Sequence, residues 1–410
     1  MTDVAARADE IARAAYGRLL SILAAKDGDI EAAEDCLADA FAQALQTWPA
    51  TGVPDNPEAW LLTAARNRRH DMRRSAAHRL SDRLDGIGGA GTSALAYVED
   101  HDPDAIPDRR LALLFVCAHP AIDVAVRTPL MLQTVLGFDA EQIARAFVIP
   151  TATLAQRLVR AKRRIRDARI PFVIPARQQM AERLRPVLEA IYGVYAIDFY
   201  VVSGTEARVS LADESLYLAC LLATLLPDEP EALGLAALLS LSIARLPARS
   251  ATNEFVPLDQ QDTALWNVAL ITQGETLLHQ ARAIGHTGRF QIEAAIQSVH
   301  CARALSGGTD WHALRTLHAA LVTVAPTLGA RVAYAAAVGR VDGAQAGLAM
   351  LDAITDQAVQ RFQPAWATRA HLQADAGDVS AATAAFARAI ALTTDEAARR
   401  YLEQRRAVLS

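Results

Sequence analysis

An all-α protein is what this sequence predicts, on three observations. Ala, Leu and Arg are abundant and aromatic residues make up only 6% of the 410 positions, a composition rich in good helix formers. Apolar residues recur at helical spacing through most of the chain. Short turns carrying Pro, Gly and Asp separate those patterns, as they do between packed helices. This length accommodates two or three domains with complete cores. The formal net charge is only -5, so any affinity for nucleic acid has to come from local basic clusters.

Residues 137 to 167, GFDAEQIARAFVIPTATLAQRLVRAKRRIRD, carry the clearest local signal. Asp139 caps a first helix, with Gln142 placed to reach back as in a capping box. Ile143, Ala144 and Phe147 are its expected buried face. Pro150 disfavours helix at Ile149, so the first helix ends near Phe147 or Val148 and a second starts around Thr151. Leu154, Leu158, Ala161 and Ile165 form the apolar stripe of that second helix. Thr151, Thr153, Gln156, Arg157, Arg160, Lys162, Arg163, Arg164 and Arg166 are expected on its exposed side. Amide and guanidinium groups on one helix face match base edges, and the further cations match phosphates, so this pattern predicts a DNA-binding helix-turn-helix.

The N-terminal stretch from about Asp9 to Leu80 also reads as helical. In IEAAEDCLADAFAQALQTW, Ala33, Leu37, Ala40, Phe41, Ala44 and Leu45 lie along one side, whereas Glu31, Glu34, Asp35 and Asp39 make the other acidic. The prolines of PATGVPDNP predict an end near Trp48. Residues 58 to 79 then form a basic helix with Trp60, Leu61, Ala64, Ala65 and Met72 available for packing, and Arg66, Arg68, Arg69, Arg73, Arg74 and Arg79 supplying charge.

These three stretches occur in the order and spacing of the core modules of bacterial sigma-70-type factors of the extracytoplasmic-function class, which the chain resembles over residues 9 to 80 and 107 to 170. The resemblance implies an acidic helix docking on the clamp of core RNA polymerase, with Asp35, Leu37, Asp39, Phe41 and Gln43 on or beneath that surface. It implies contacts to the promoter -10 element from Trp48, Asn56, Arg66, Asn67, Arg73 and Arg74, Trp48 to Asn56 forming a loop near the displaced strand. It implies -35 contacts from Thr151, Thr153, Gln156, Arg157, Arg160, Lys162 and Arg164. Val148 stands where many relatives have a turn glycine, and Ala155 and Gln156 replace a more usual Arg and Ser. The domains expected are sigma region 2 at 1–80, a flexible acidic linker at 81–108, sigma region 4 at 109–170, and a helical domain at 171–410. The linker's GGAGTSA lacks the Lys-Ser/Thr ending of a phosphate loop.

Residues 171–410 repeat helical patterns at Met180 to Ala196, Leu211 to Leu226, Glu231 to Leu246, Asp259 to Ile284, Phe290 to Ser306, Trp311 to Val324, Arg331 to Val338, Ala344 to Ile354, Pro364 to Ala376 and Val379 to Leu392, with a last helix from Asp395. Such an array is solenoid-like. Trp366, Ala370, Gly377, Ala382, Phe386 and Ala389 fall at tetratricopeptide (TPR) offsets. With LLPDEPEALGLAALL, FVPLDQQD, GRFQIEAAIQSVH and TDWHAL, the order of segments resembles a subgroup of these sigma factors with a long TPR-like C-terminal extension. The resemblance implies a regulatory module with a protein or peptide partner. GARVAYAAAVG departs from the Asn-Arg-Ala pattern expected of relatives.

No enzyme is expected, because Gly-x-Ser-x-Gly, His-Glu-x-x-His and a complete Walker motif are absent. Asp198, Glu206, His279, His286, His300 and His318 are scattered acids and histidines without a motif. Cys36, Cys117, Cys220 and Cys301 form no CxxC pair and read as reduced, mostly buried thiols; Cys117 and His119 lack the further ligands a zinc site needs, and His119, before Pro120, reads as a packing or capping residue. No cofactor is expected. The N-terminus has no signal-peptide core, and the runs Leu216 to Leu226 and Ala232 to Ala244 are too short to span a bilayer, which predicts a buried helical hairpin and a cytoplasmic protein with no membrane partner. A helix-turn-helix repressor or activator with a helical sensor, and a helical protein-binding scaffold, are the alternative functions.

Overall fold

The computed structural model describes residues 11, 15–81, 109–147, 149–201, 205–250 and 255–409. Among them every regular element is a helix. Two compact units are formed, Met1–Gly193 and Val194–Ser410, the division falling inside one helix, Arg177–Val201. The linker predicted at 81–108, with its GGAGTSA stretch, lies outside the described residues except for Ser81.

The first unit starts with α1 (15–24), followed by α2 (Ile30–Thr51) and α3 (Pro57–Ser81). Asp29 caps α2 by accepting from the Ala32 N–H at 3.0 Å. α2 does not stop at Trp48 as its proline predicts. Pro49 removes one hydrogen bond from the last turn only, and Gly52, at φ 82°, supplies the terminus by donating to the Trp48 carbonyl at 2.9 Å. Asn56 begins α3 by accepting from the Ala59 N–H at 3.0 Å. α2 packs on α3, burying Ile30, Ala33, Cys36, Leu37, Ala40, Ala44 and Trp48 against Leu61 and Ala65. Leu45, expected on the buried side, is exposed, and the longer helix buries Trp48 one turn further on instead.

α4 (Arg110–Cys117) and α5 (Val124–Thr134) support α6 (Ala140–Ala146) and α7 (Thr151–Asp167). α4 is buried on almost every side. His119 follows it and caps the turn, its Nδ1 accepting from the Ala121 N–H at 3.1 Å. α8 (Arg177–Val201) then begins in this unit, where Gly193 lies close to Leu132 of α5.

In the second unit, α9 (Thr205–Leu225) precedes α10 (Pro230–Ile243), all but one of whose residues are buried, against α9, α12 (Val268–Ala283) and α13 (Arg289–Cys301). Small residues make that packing possible. A Cβ on Gly234 would come within 2.8 Å of the Gln291 backbone nitrogen, and one on Gly274 within 2.6 Å of Leu241. The helix predicted from Asp259 to Ile284 is interrupted. Short 3-10 turns occupy Leu258–Gln260 and Thr263–Leu265, because Asp262 and Asn267 turn their side chains to the N–H groups of Ala264 and Leu270, so that α12 starts at Val268. Trp266 is buried in this interruption under the guanidinium of Arg303, which donates to the Asp259 and Gln261 carbonyls at 2.8 and 2.6 Å.

A five-residue helix, α11 (Leu246–Ser250), and a four-residue one, α14 (Arg303–Ser306), flank that core. α15 (Trp311–Val324), α16 (Leu328–Asp342), α17 (Ala344–Asp352), α18 (Gln363–Asp375), α19 (Val379–Leu392) and α20 (Glu396–Ala407) then pack each on the next. Asp310, Thr327, Asp378 and Asp395 cap α15, α16, α19 and α20 through side-chain oxygens. Each pairing has its own small core; in the last, Phe386 packs with Ala370, Ala385, Ala389 and Leu402. Gly377 turns between α18 and α19 at φ 81°.

Two histidines sit uncharged between these helices. Burial, reinforced by Arg245, His318 and Arg303, pushes His300 down to about 3, and burial alone pushes His318 down to about 4. The Nδ1 of each lacks a hydrogen-bond partner. Their pKa values are depressed on folding, so the unfolded chain binds the extra protons. This unit therefore loses stability as pH falls from about 6.5 toward 4, at up to about 1.4 kcal/mol per pH unit for each histidine. Chemical denaturation across that range measures the slope, and His300→Phe is expected to make it shallower.

Candidate nucleic-acid interface

The turn between α6 and α7 is built as its sequence predicts. Asp139 accepts from the Gln142 N–H at 2.8 Å, and the Gln142 side chain accepts from the Asp139 N–H at 3.0 Å, a reciprocal capping box. α6 ends at Ala146 and Phe147 caps it, which turns the Phe147 ring partly to solvent instead of into the core. The Ile149 N–H returns to the Ala144 carbonyl at 3.0 Å, and Pro150 opens α7. Val148 lies outside the described residues.

Leu154, Leu158, Ala161 and Ile165 anchor α7. Thr151, Thr153, Gln156, Arg157, Arg160 and Arg164 are all exposed, giving one polar and cationic helix face. Lys162 does not belong to that face. Its side chain is 8% exposed, and its ammonium donates to both carboxylate oxygens of Glu34 on α2, at 2.6 and 2.7 Å. Arg166 approaches Glu31 at 3.6 Å and Asp29 at 3.9 Å, and Arg163 approaches Glu31 at 3.9 Å. Burial pushes the Glu34 carboxyl above its ordinary range although Lys162 opposes the shift.

A second polar surface lies across α2 and α3. Gln43, Trp60, Thr63, Ala64, Asn67, Arg68 and Asp71 line an open cleft of about 340 Å³. Arg68 donates to Asp39 at 2.6 Å, and Arg74 donates to Asp71 at 2.6 Å. Arg66 and Asn67 are exposed on the same helix; the side chain of Arg73, like that of Arg79, lies outside the described residues. Trp48 is 1% exposed, so it belongs to the core, with its ring set edge-on to Trp60 at 5.5 Å; the expected loop does not begin until after Thr51. Asn56 spends its side chain on the α3 cap. Asp35, Asp39 and Gln43 are exposed on α2 and Phe41 is half-buried there, with Leu37 fully buried beneath. Trp60, Thr63 and Asp71 were not singled out as site residues by the sequence reading, because a cleft between two helices has no signature in either helix alone.

Arg69 is the structural exception among the basic residues of α3. It is buried, donates to the Leu23 carbonyl at 2.7 Å and pairs with Asp27, tying α3 to the end of α1.

Among the described residues no three His, Cys, Asp or Glu side chains are grouped to hold a metal ion, and no helix is long and apolar enough to cross a membrane. The side chains of Asp198 and Glu206 lie outside the described residues. Cys36, Cys117, Cys220 and Cys301 are free thiols, and Cys220 is half-buried where the others are buried.

α1 to α3 coincide with a match to sigma-70 region 2 over residues 11–79, and the protein is therefore of the kind that carries this helical module. Residues 183–282 match a family of unknown function, DUF6596. The chain is 34% identical to the uncharacterized protein R00370 of Rhizobium meliloti over 377 residues, 91% of this chain and 89% of that one, and it belongs to the same family. It is also 29% identical over 160 residues to the probable ECF RNA polymerase sigma factor SigI of Mycobacterium tuberculosis, covering 38% of this chain and 53% of the relative. No solved structure matches.

Replacing Arg69 by Met is expected to lower the stability of the first unit by about 3 kcal/mol, because Asp27 loses its partner inside the fold. Urea denaturation followed by circular dichroism checks it, and Arg66→Met, on the exposed side, is the control expected to change little.

Proposed function

We propose that this chain is a promoter-specificity subunit of bacterial RNA polymerase. The observation that carries the reading is the match to sigma-70 region 2, which falls on α1 to α3. Next to it, the exposed face of α7 has the chemistry of a recognition helix. Asp35, Asp39, Gln43 and Phe41, with Leu37 beneath, are the surface offered to the clamp of core polymerase. Arg66, Asn67, Arg73 and Arg74 provide the cationic track for the -10 strand, next to the cleft lined by Trp60 and Asn67. Thr151, Thr153, Gln156, Arg157, Arg160 and Arg164 read the -35 element.

In this reading the subunit catalyses no chemistry of its own. It supplies base readout and phosphate contacts, and works in the cytoplasm. The domains at 1–80 and 109–170 carry promoter recognition, and 171–410 is a TPR-like module that regulates the first half or binds a protein or peptide. The likeness to the probable ECF sigma factor SigI supports the first part of this assignment, and the serial helix pairs from α15 to α20 support the second.

Run-off transcription with core polymerase and a promoter library tests the reading, comparing the full chain with and without the variants below. Arg157→Ala or Arg160→Ala is expected to weaken -35-dependent initiation by roughly 1–3 kcal/mol of binding energy if it meets a base, and to reduce the salt dependence if it meets a phosphate. Asp35→Lys with Asp39→Lys is expected to abolish co-elution with core polymerase while leaving -35 duplex binding unchanged. Absence of initiation from every promoter, together with dimeric protection of a palindromic duplex, would replace this function with that of a repressor.

A further inference from the structure

The contact between α2 and α7 joins helices that the sigma reading assigns to different jobs, and the following inference rests on that reading. Lys162 and Glu34 are 128 residues apart in sequence and both are largely buried, with two hydrogen bonds between them. Arg163 and Arg166 extend the contact to Glu31 and Asp29 at the start of α2. A second, uncharged contact lies beside it. Gly17 of α1 sits so close to Val135 that a Cβ would come within 1.7 Å of the Val135 carbonyl oxygen, and Tyr16 reaches the turn at Gly137.

This arrangement fixes how far apart the two reading surfaces stand. Arg68 is bonded to Asp39, five residues along α2 from Glu34, and Arg157 is five residues along α7 from Lys162. Each five-residue step is about 7.5 Å, and two helix-to-helix spacings add roughly 20 Å. The surfaces are therefore held within about 35 Å. Elements centred near -10 and -35 are about 25 base pairs, or on the order of 85 Å, apart along a duplex. One rigid unit with α2 docked on α7 cannot read both.

We propose that the α2–α7 contact, centred on Glu34 and Lys162 with Gly17 against Val135 beside it, is an autoinhibitory latch that must open before the chain engages a two-element promoter. The closed form leaves the exposed faces of α3 and α7 available singly but not together. A buried ion pair suits a latch. Its charges are tolerable in either of two states, paired with each other or returned to water, and are costly only when one is left buried alone. The interface therefore separates as a whole instead of loosening gradually.

The test uses the full chain with core polymerase and a promoter carrying both elements, at limiting chain concentration. Glu34→Lys places two cations against each other, and Gly17→Leu wedges α1 from Val135 without changing a charge. Each is expected to raise promoter-complex formation about fivefold or more, and E34K combined with K162E is expected to return it to the wild-type level. Circular dichroism confirms that helix content is kept; if Glu34→Lys fails to fold, Gly17→Leu decides. A fall in complex formation in the single variants, or no change in either, overturns the latch and makes the contact a permanent strut. Co-elution of wild-type chain with core polymerase is measured in parallel. If the wild type does not co-elute, the sigma reading fails and the latch with it; if it co-elutes and the variants show no gain, only the latch fails.

Discussion

An ammonium and a carboxylate buried together constrain everything around them. Lys162 and Glu34 lose most of their hydration when α7 settles on α2, and their mutual attraction offsets that loss only while both carboxylate oxygens stay within hydrogen-bond reach of the same nitrogen. The geometry therefore demands that both helices be fixed along their lengths. Asp29 fixes the start of α2, Gly52 its end, and Pro150 the start of α7. α4 and α5 close the other side, where Cys117 and Thr134 are fully buried and burial pushes the Cys117 thiol up to about 12. The raised pKa of Glu34 has the same origin, since desolvation outweighs the attraction of a single cation.

Charge is distributed in this unit by depth rather than by total. Arg69 and Lys162 point inward to Asp27 and Glu34 and hold the fold, whereas Arg66, Arg157, Arg160 and Arg164 face outward. Arginines and lysines that look equivalent in a basic run thus divide into structural and available groups. Only the second group can pay for contacts with a polyanion, because the first is already neutralised inside the protein.

The second unit is held by different means. Short polar side chains accept the first free N–H groups of most of its helices, which sets where each begins, and small residues at Gly234, Gly274 and Gly347 let neighbouring helices approach closely. Its apolar cores are several and local, each shared by two or three successive helices. Such a construction extends by addition, one pair stabilising the next, and leaves the histidines between the layers uncharged.

The sequence by itself determined the all-α class, nearly every helix of the second unit, and the α6–α7 turn down to its capping box. These rest on interactions between residues within about four positions of one another: cap to N–H, proline to the preceding turn, apolar stripe to helix period. Its limits appear where two signals compete locally, as at Pro49, which α2 runs through, and at Trp266, where side-chain caps split one long apolar pattern into 3-10 turns and α12. Tertiary structure alone decided that Lys162 turns inward, that Trp48 is core, and that Trp60, Thr63 and Asp71 share a cleft. A helical wheel places Lys162 on the wet side of α7, and it is dry only because Glu34, from another helix 128 residues earlier, arrives to meet it. Burial is a property of the neighbour as much as of the residue, and no local pattern names the neighbour.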